Sequence, residues 1–401
     1  MRHFWAVAAV AMGVSLSSGA AADQVVEFWT PDSEGQYSYV MAEEFMAQNP
    51  DVTINLKTVN FNDIVNDLQR AVATGQAPDM SYIDNPDTVL FSSAGVLMDL
   101  TSRFAASSIV DPDDIFPGPL MSVQWEGGIY GIPRGSNTIA LFYNADMFRA
   151  KGLDPDVPPQ TWDELYNAAK ALNDPENDVY GLAFAAVASE EGTFQFLPFL
   201  QAAGGAYDQI GGSAGEMALS YWSRFLEEGL VSQDALVRGQ WDATGTFNSG
   251  NTAMSISGPW ELPRMSEDAD FEFRVAVLPA ANDGGPRASA LGEGNHVIFE
   301  GSESADAAFR FMEYMYSQMP RVWNEFGYLP ASRVVVEEPN WPEAYGVFVD
   351  QMAWARSRGP HPQWAQISKA HQDAIQNALT GRMTAQEAAA AAQAQIDAIL
   401  K

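Results

Sequence analysis

The chain has 401 residues and carries 52 acidic side chains against 21 basic ones, a formal net charge of −31 at pH 7. That length suits two lobes with a core each, and 47 % hydrophobic residues is the composition of a globular protein that folds in water. The charge speaks against nucleic acid and anionic membrane surfaces as partners. With no cysteine, disulfides, thiolate metal sites, a cysteine nucleophile and a lipid-modified cysteine are all ruled out.

The first 22 residues read as a secretory signal peptide. Arg2 precedes an apolar stretch from Phe4 to about Leu16, and small residues Ala20 and Ala22 follow in peptidase spacing. Cleavage is expected after Ala22. The stretch is too short to span a bilayer, and no other apolar run reaches ~18 residues. A free, exported protein is expected, which in a Gram-negative cell means the periplasm.

"VVEFWT" (25–30) is a strand, and the spacing of Val40, Met41, Phe45 and Met46 predicts a helix over 37–48 that Asn49-Pro50 stops. "VTINLKTV" (52–59) alternates as a half-buried strand. Phe61, Ile64, Val65, Leu68 and Val72 step as an amphipathic helix closed by Gly75, and "PDMSYID" (78–84) is strand-like. This β-α-β-α-β order starts a parallel, doubly wound sheet. Ligands of such sheets sit beyond the carboxyl ends of the strands, where this chain places Trp29, Thr30, Ser33, Glu34 and Asp84. "GGIYGIP" (127–133) and "TIALFYN" (138–144) flank a Pro-Arg-Gly-Ser break, read as a crossing between lobes at about 133–137. Thr161 with Glu164 opens a helix as a capping box, and a helix-rich stretch runs to about Gly229. "FEFRVAVLP" (271–279) alternates as a strand, and "SALGEGNHVIFE" is a glycine-broken strand pair that crosses back. A helix follows at "SADAAFRFMEYMYS", then the break "FGYLPASR", and Thr384 with Glu387 caps a closing helix.

Motifs for catalysis and metal binding read as ordinary structure. "GGSAG" (211–215) matches a hydrolase nucleophile elbow, but no buried strand precedes Ser213, and Ser213 with Glu216 has capping-box spacing. The histidines His3, His296, His361 and His371 show no zinc-ligand spacing, and "NDPENDVYG" has Tyr180 where a calcium loop needs its glycine turn. No catalytic residue, metal or cofactor is expected. What remains is aromatic abundance: 11 Trp, 13 Tyr and 22 Phe. Phe45, Phe311 and Phe326 sit at helical spacing and read as core. Trp29, Trp260 and Tyr328 border strand ends or Gly/Pro breaks, where a rigid ring makes a platform for the C–H face of a sugar. Hydroxyls around that face need carboxylates, amides and guanidinium groups. Asp84, Glu34, Arg134, Asn137, Glu293 and Asn295 have those chemistries near the breaks; a surface ion pair or turn cap is the alternative for each.

"FNSGNTAMSISGPW" (247–260) resembles the signature of periplasmic solute-binding proteins that serve ABC importers of sugars, the maltose-binding-protein-like branch of extracellular solute-binding family 1. "VVEFWT", "APDMSYID", "GGIYGIP", "PPQTWDEL", "FLPFLQAAGG" and "GYLPASR" agree in order, so the likeness spans nearly the whole mature chain. The resemblance implies a two-lobed α/β protein of the type II periplasmic binding fold. Each lobe would be a doubly wound sheet flanked by helices, with the ligand cleft between lobes. It assigns 23–133 with 290–328 to the N-terminal lobe and 134–289 with 329–401 to the C-terminal lobe, with hinge crossings near 133–136, 288–292 and 327–330. It also implies that Trp260 stacks on a sugar, that Gly258 permits close backbone approach, that Asp84 bonds hydroxyls, and that Thr30, Ser33 and Glu34 add polar contacts. "GEGNH" departs from the family pattern and leaves Glu293 and Asn295 open between ligand contact and turn. "ARSRGPHPQW" places Arg356, Arg358, His361 and Trp364 late in the chain, and Arg356 there would serve an anionic sugar. The expected activity is binding by hinge closure without chemistry, by a monomer, with an inner-membrane ABC permease as partner. An anionic ligand such as glycerol phosphate is the alternative, a serine hydrolase using Ser213 the remote one.

Overall fold

The computed structural model describes residues 24–333 and 343–401; the signal peptide and its cleavage point lie outside them. In chain order the strands are β1 (Gln24–Thr30), β2 (Val52–Thr58), β3 (Met80–Asp84), β4 (Gln124–Trp125), β5 (Gly128–Ile129), β6 (Ile132–Pro133), β7 (Ala140–Asn144), β8 (Met254–Ser257), β9 (Phe273–Ala276), β10 (Ser289–Leu291), β11 (Gly294–Ile298) and β12 (Ala355–Ser357). They form two main sheets, and each has its own core.

The first sheet has the order β2-β1-β3-β11-β6. Between its first three strands, which run parallel, lie α1 (Tyr37–Gln48) and α2 (Ile64–Ala73). The last two strands are antiparallel additions, so the sheet is mixed rather than wholly parallel. Val26 and Phe28 alternate into a core with Met41, Phe45, Leu68 and Phe311. The second sheet, β8-β7-β9, is antiparallel throughout. Its central strand reads as a continuous apolar run because both faces are covered: Leu141 and Tyr143 enter one cluster, Ala140 and Phe142 another. The pair β10-β12 adds to this second half.

Both long capping boxes form, at Thr161/Glu164 and Thr384/Glu387. The one expected at Ser213 does not. The helix Ser213–Glu227 starts from Gly212 with no side-chain cap. A Cβ on Gly215 would lie 1.7 Å from the Ile210 carbonyl oxygen, so this turn is tight packing against backbone rather than an exposed nucleophile. Among the described residues no helix is long and apolar enough to cross a membrane.

Among the described residues three chain segments pass between the sheets and lie side by side. Ser136 bridges Leu329, and Asn137 bridges Gly292. The Arg134 amide donates to the Gly294 carbonyl at 3.0 Å. β10 and β11, three residues apart, belong to different sheets, so the chain changes lobe at Gly292-Glu293.

Candidate functional site

A cavity of ≈ 490 Å³ opens between the two sheets, next to the three crossings. Its aromatic wall comes from the end of β8. After Ser257 the chain is extended at Gly258 (φ −112°, ψ 179°), and Pro259 starts a single 3₁₀ turn. A Cβ at Gly258 would lie 1.9 Å from Cζ3 of Trp260. Only glycine lets the indole fold back over its own backbone. The half-buried ring sits 6.4 Å from Phe194, tilted by 40°, and both line the cavity.

The same cavity holds two buried ionic clusters. In the first, Arg134 Nη1 donates to both oxygens of Asp32 at 3.1 Å, and its Nε donates to Glu293 at 2.6 Å. Tyr328 and Tyr82 flank the guanidinium at 4.4 and 4.5 Å. Burial works against the Asp32 carboxylate, but Arg134 and two bonds from Ser38 hold its pKa below the usual range. Glu293 has φ 89°, a left-handed conformation that non-glycine residues rarely adopt. This bend sends its carboxylate between Arg134 and the Asn137 amide, which donates at 3.0 Å.

In the second cluster Arg358 takes Asp84 with both nitrogens, at 2.7 and 2.8 Å, and also reaches Glu190 at 2.7 Å and Asn85 Oδ1 at 3.0 Å. Glu190 opens the helix Glu190–Ala202, and Ser368 donates to its other oxygen. Asp87 completes the group. Burial, then the nearby Glu190 and Asp84, push its pKa well above the carboxylate range.

Asp84, Arg134, Asn137, Trp260, Glu293 and Tyr328 therefore line one cavity, with Gly258 supporting the indole. The other expected residues stand elsewhere. Trp29 lies on the opposite face of β1 from Phe28, with Lys57 Nζ 3.5 Å over its ring. Thr30 is fully buried against Ser38. Ser33 and Glu34 are exposed in the turn beyond Asp32. Asn295 turns into the first lobe and donates to Thr88 at 2.8 Å and Ser122 at 3.1 Å. Arg356 is exposed on β12, and Arg358 is the arginine that enters the cleft. Phe326, expected in the core, packs against it yet also lines the cavity.

Sequence reading missed Asp32, Tyr82, Glu190, Phe194 and Trp241. Asp32 stood between residues that were named, but a charged turn residue looks like surface. Trp241 begins a helix with its ring exposed at the cavity mouth, Arg264 stacked on it at 3.7 Å. No local signal distinguishes it from a surface tryptophan.

Two lobes, three adjoining crossings and a polar cleft with an aromatic wall define a two-lobed solute-binding protein. The chain belongs to the bacterial extracellular solute-binding protein family, whose model matches residues 30–320. A maltotriose-binding protein of Pyrococcus abyssi is 27 % identical over 78 % of this chain and 68 % of its own length. The sn-glycerol-3-phosphate-binding periplasmic protein UgpB of Shigella dysenteriae is 24 % identical over 84 % of this chain and 80 % of its own. Among solved structures, an ABC transporter solute-binding protein of Thermotoga lettingae, bound with alpha-D-tagatose, superposes with a TM-score of 0.86. It is 25 % identical and covers 94 % of this chain and all of its own. The chain is a binding component of an ABC transporter, not an enzyme.

Proposed function

We propose that this protein captures a neutral carbohydrate or polyol in the periplasm and delivers it to the permease of an ABC importer. The lobes, expected as 23–133 with 290–328 and 134–289 with 329–401, differ at two edges, since Ala290 packs in the second core and Ala331 in the first. They close on the ligand by bending at the crossings. Trp260 and Phe194 cover the apolar face of the sugar, while Asp84, Arg134, Asn137, Glu293 and Arg358 meet its hydroxyls. The protein acts as a monomer after loss of its leader.

One observation carries the choice of a neutral ligand. Seven carboxylates and three guanidinium groups line the cavity, and both deeply buried arginines are already paired twice with acids. A phosphate or sulfonate entering this site would meet excess negative charge and no free cation. Glycerol phosphate, the printed ligand of one relative, is the competing reading.

A thermal-shift screen of refolded mature protein against mono-, di- and oligosaccharides, polyols and glycerol phosphodiesters separates them. A true ligand raises the melting temperature by mass action, by about 2.7 kcal/mol of stability at 100 times its Kd. A rise confined to the phosphodiesters refutes the neutral reading.

A further inference from the structure

Arg358 links the lobes. It follows β12 in the second lobe, whereas Asp84 ends β3 in the first and Asn85 opens the turn after it. Three of its hydrogen bonds cross the cleft, to both Asp84 oxygens and to Asn85 Oδ1, and the fourth ties it to Glu190 in its own lobe. The guanidinium carbon lies over the Phe194 ring, 4.6 Å from its centre, which restrains its swing. Arg358, Asp84 and Asn85 are all buried, at 4, 4 and 7 % exposure, so the contacts are little screened by salt. A second bond crosses nearby, from Asn62 Nδ2 to Glu191 at 3.3 Å. All of these partners belong to the chain itself.

We propose that Arg358 is a positioning residue that straps the lobes together through Asp84, so that closure is favoured before any ligand arrives. An aspartate at this place would otherwise present both oxygens to a sugar. Here each oxygen already accepts from a guanidinium, and the ligand meets a preassembled, charge-neutral Arg–Asp pair. Ligand then adds its contacts to a closed form that is already populated, which lessens the conformational penalty on its apparent affinity. Bidentate geometry is what the strap needs, and lysine cannot supply it.

The inference rests on the hinge reading above but not on the ligand class, and its test contains no sugar. Mature protein is stripped of ligand by unfolding and refolding, and its radius of gyration is measured by small-angle X-ray scattering. Wild type should be compact. Arg358→Gln and Asp84→Asn should both expand at unchanged far-ultraviolet circular dichroism, and Arg358→Lys should fall between. If Arg358→Gln does not fold, Asp84→Asn decides alone, because it keeps the side-chain shape while removing the charge and one of the two acceptors of Arg358. Wild type as expanded as the variants, or variants whose scattering superposes on wild type, overturns the strap and leaves the carbohydrate reading standing.

Discussion

Replacing Arg134 with methionine keeps the bulk of the side chain and removes its charge. In the native protein Arg134 is 5 % exposed and serves two buried acids, Asp32 at 5 % and Glu293 at 6 %. Without it Asp32 retains its two bonds from Ser38, at 2.6 and 3.0 Å, and Glu293 retains one from Asn137. Neither keeps a counter-charge. Breaking a buried pair from one side costs about 3–5 kcal/mol, and the surviving bonds to Ser38 place Arg134→Met toward the lower end. The cost depends on pH with a definite sign. The native Asp32 pKa is lowered, so its pairing stabilises above the ordinary carboxylate range and is lost as pH falls through the native value. In the variant Asp32 is buried without a counter-charge and its pKa rises, so the deficit is largest at neutral pH and shrinks as it protonates. Urea denaturation followed by circular dichroism at pH 7 and pH 5 measures both quantities. The double variant Arg134→Met/Glu293→Gln should recover part of the loss non-additively. A pH-independent deficit, or a variant as stable as wild type at pH 7, refutes the reasoning.

Trp260→Ala should weaken sugar binding by about 1–3 kcal/mol in calorimetry with the ligand found by screening, while Trp29→Ala leaves affinity unchanged. Equal effects of the two would deny Trp260 its place on the cleft wall. Gly258→Ala forces the indole off its own backbone, since the new methyl would sit 1.9 Å from the ring, and binding should drop with the fold intact; native affinity in that variant contradicts the folded-back ring. Glu261 is fully buried, and burial raises its pKa from 4.5 to about 7 despite the pairing with Arg264. Its ionisation therefore costs stability as pH rises from about 4.5 to about 7, and Glu261→Gln should flatten the stability profile across that window.

Much of the frame was legible because its signals are local. The helix over 37–48 sits where its apolar spacing and the Asn-Pro stop placed it, and two capping boxes bond as their residue pairs imply. Trp29 shows where local reading stops. Alternation in β1 sends Val26, Phe28 and Thr30 to one face and Trp29 to the other, and the parallel register sets Lys57 of β2 directly beside it. A strand end was read correctly, but the side of the sheet was not. Asp32 failed for a different reason. Its charge is paired with Arg134, 102 residues away, and a contact at that separation leaves no trace in a turn.

The arginines carry the same lesson into function. Read along the chain, Arg134, Arg356 and Arg358 form a cationic set that suits an anionic ligand. In space Arg356 is exposed, Arg134 is held by Asp32 and Glu293, and Arg358 by Asp84 and Glu190. A guanidinium already paired with two carboxylates attracts an anion far less than a free one, because the field beyond the cluster is set by the sum of its charges. What such a cluster keeps is hydrogen-bond direction. Donors and acceptors alternate along Asp32, Arg134, Glu293 and Asn137, and a hydroxyl, which both donates and accepts, can join that sequence where a phosphate, which only accepts, finds half of its partners of the wrong kind.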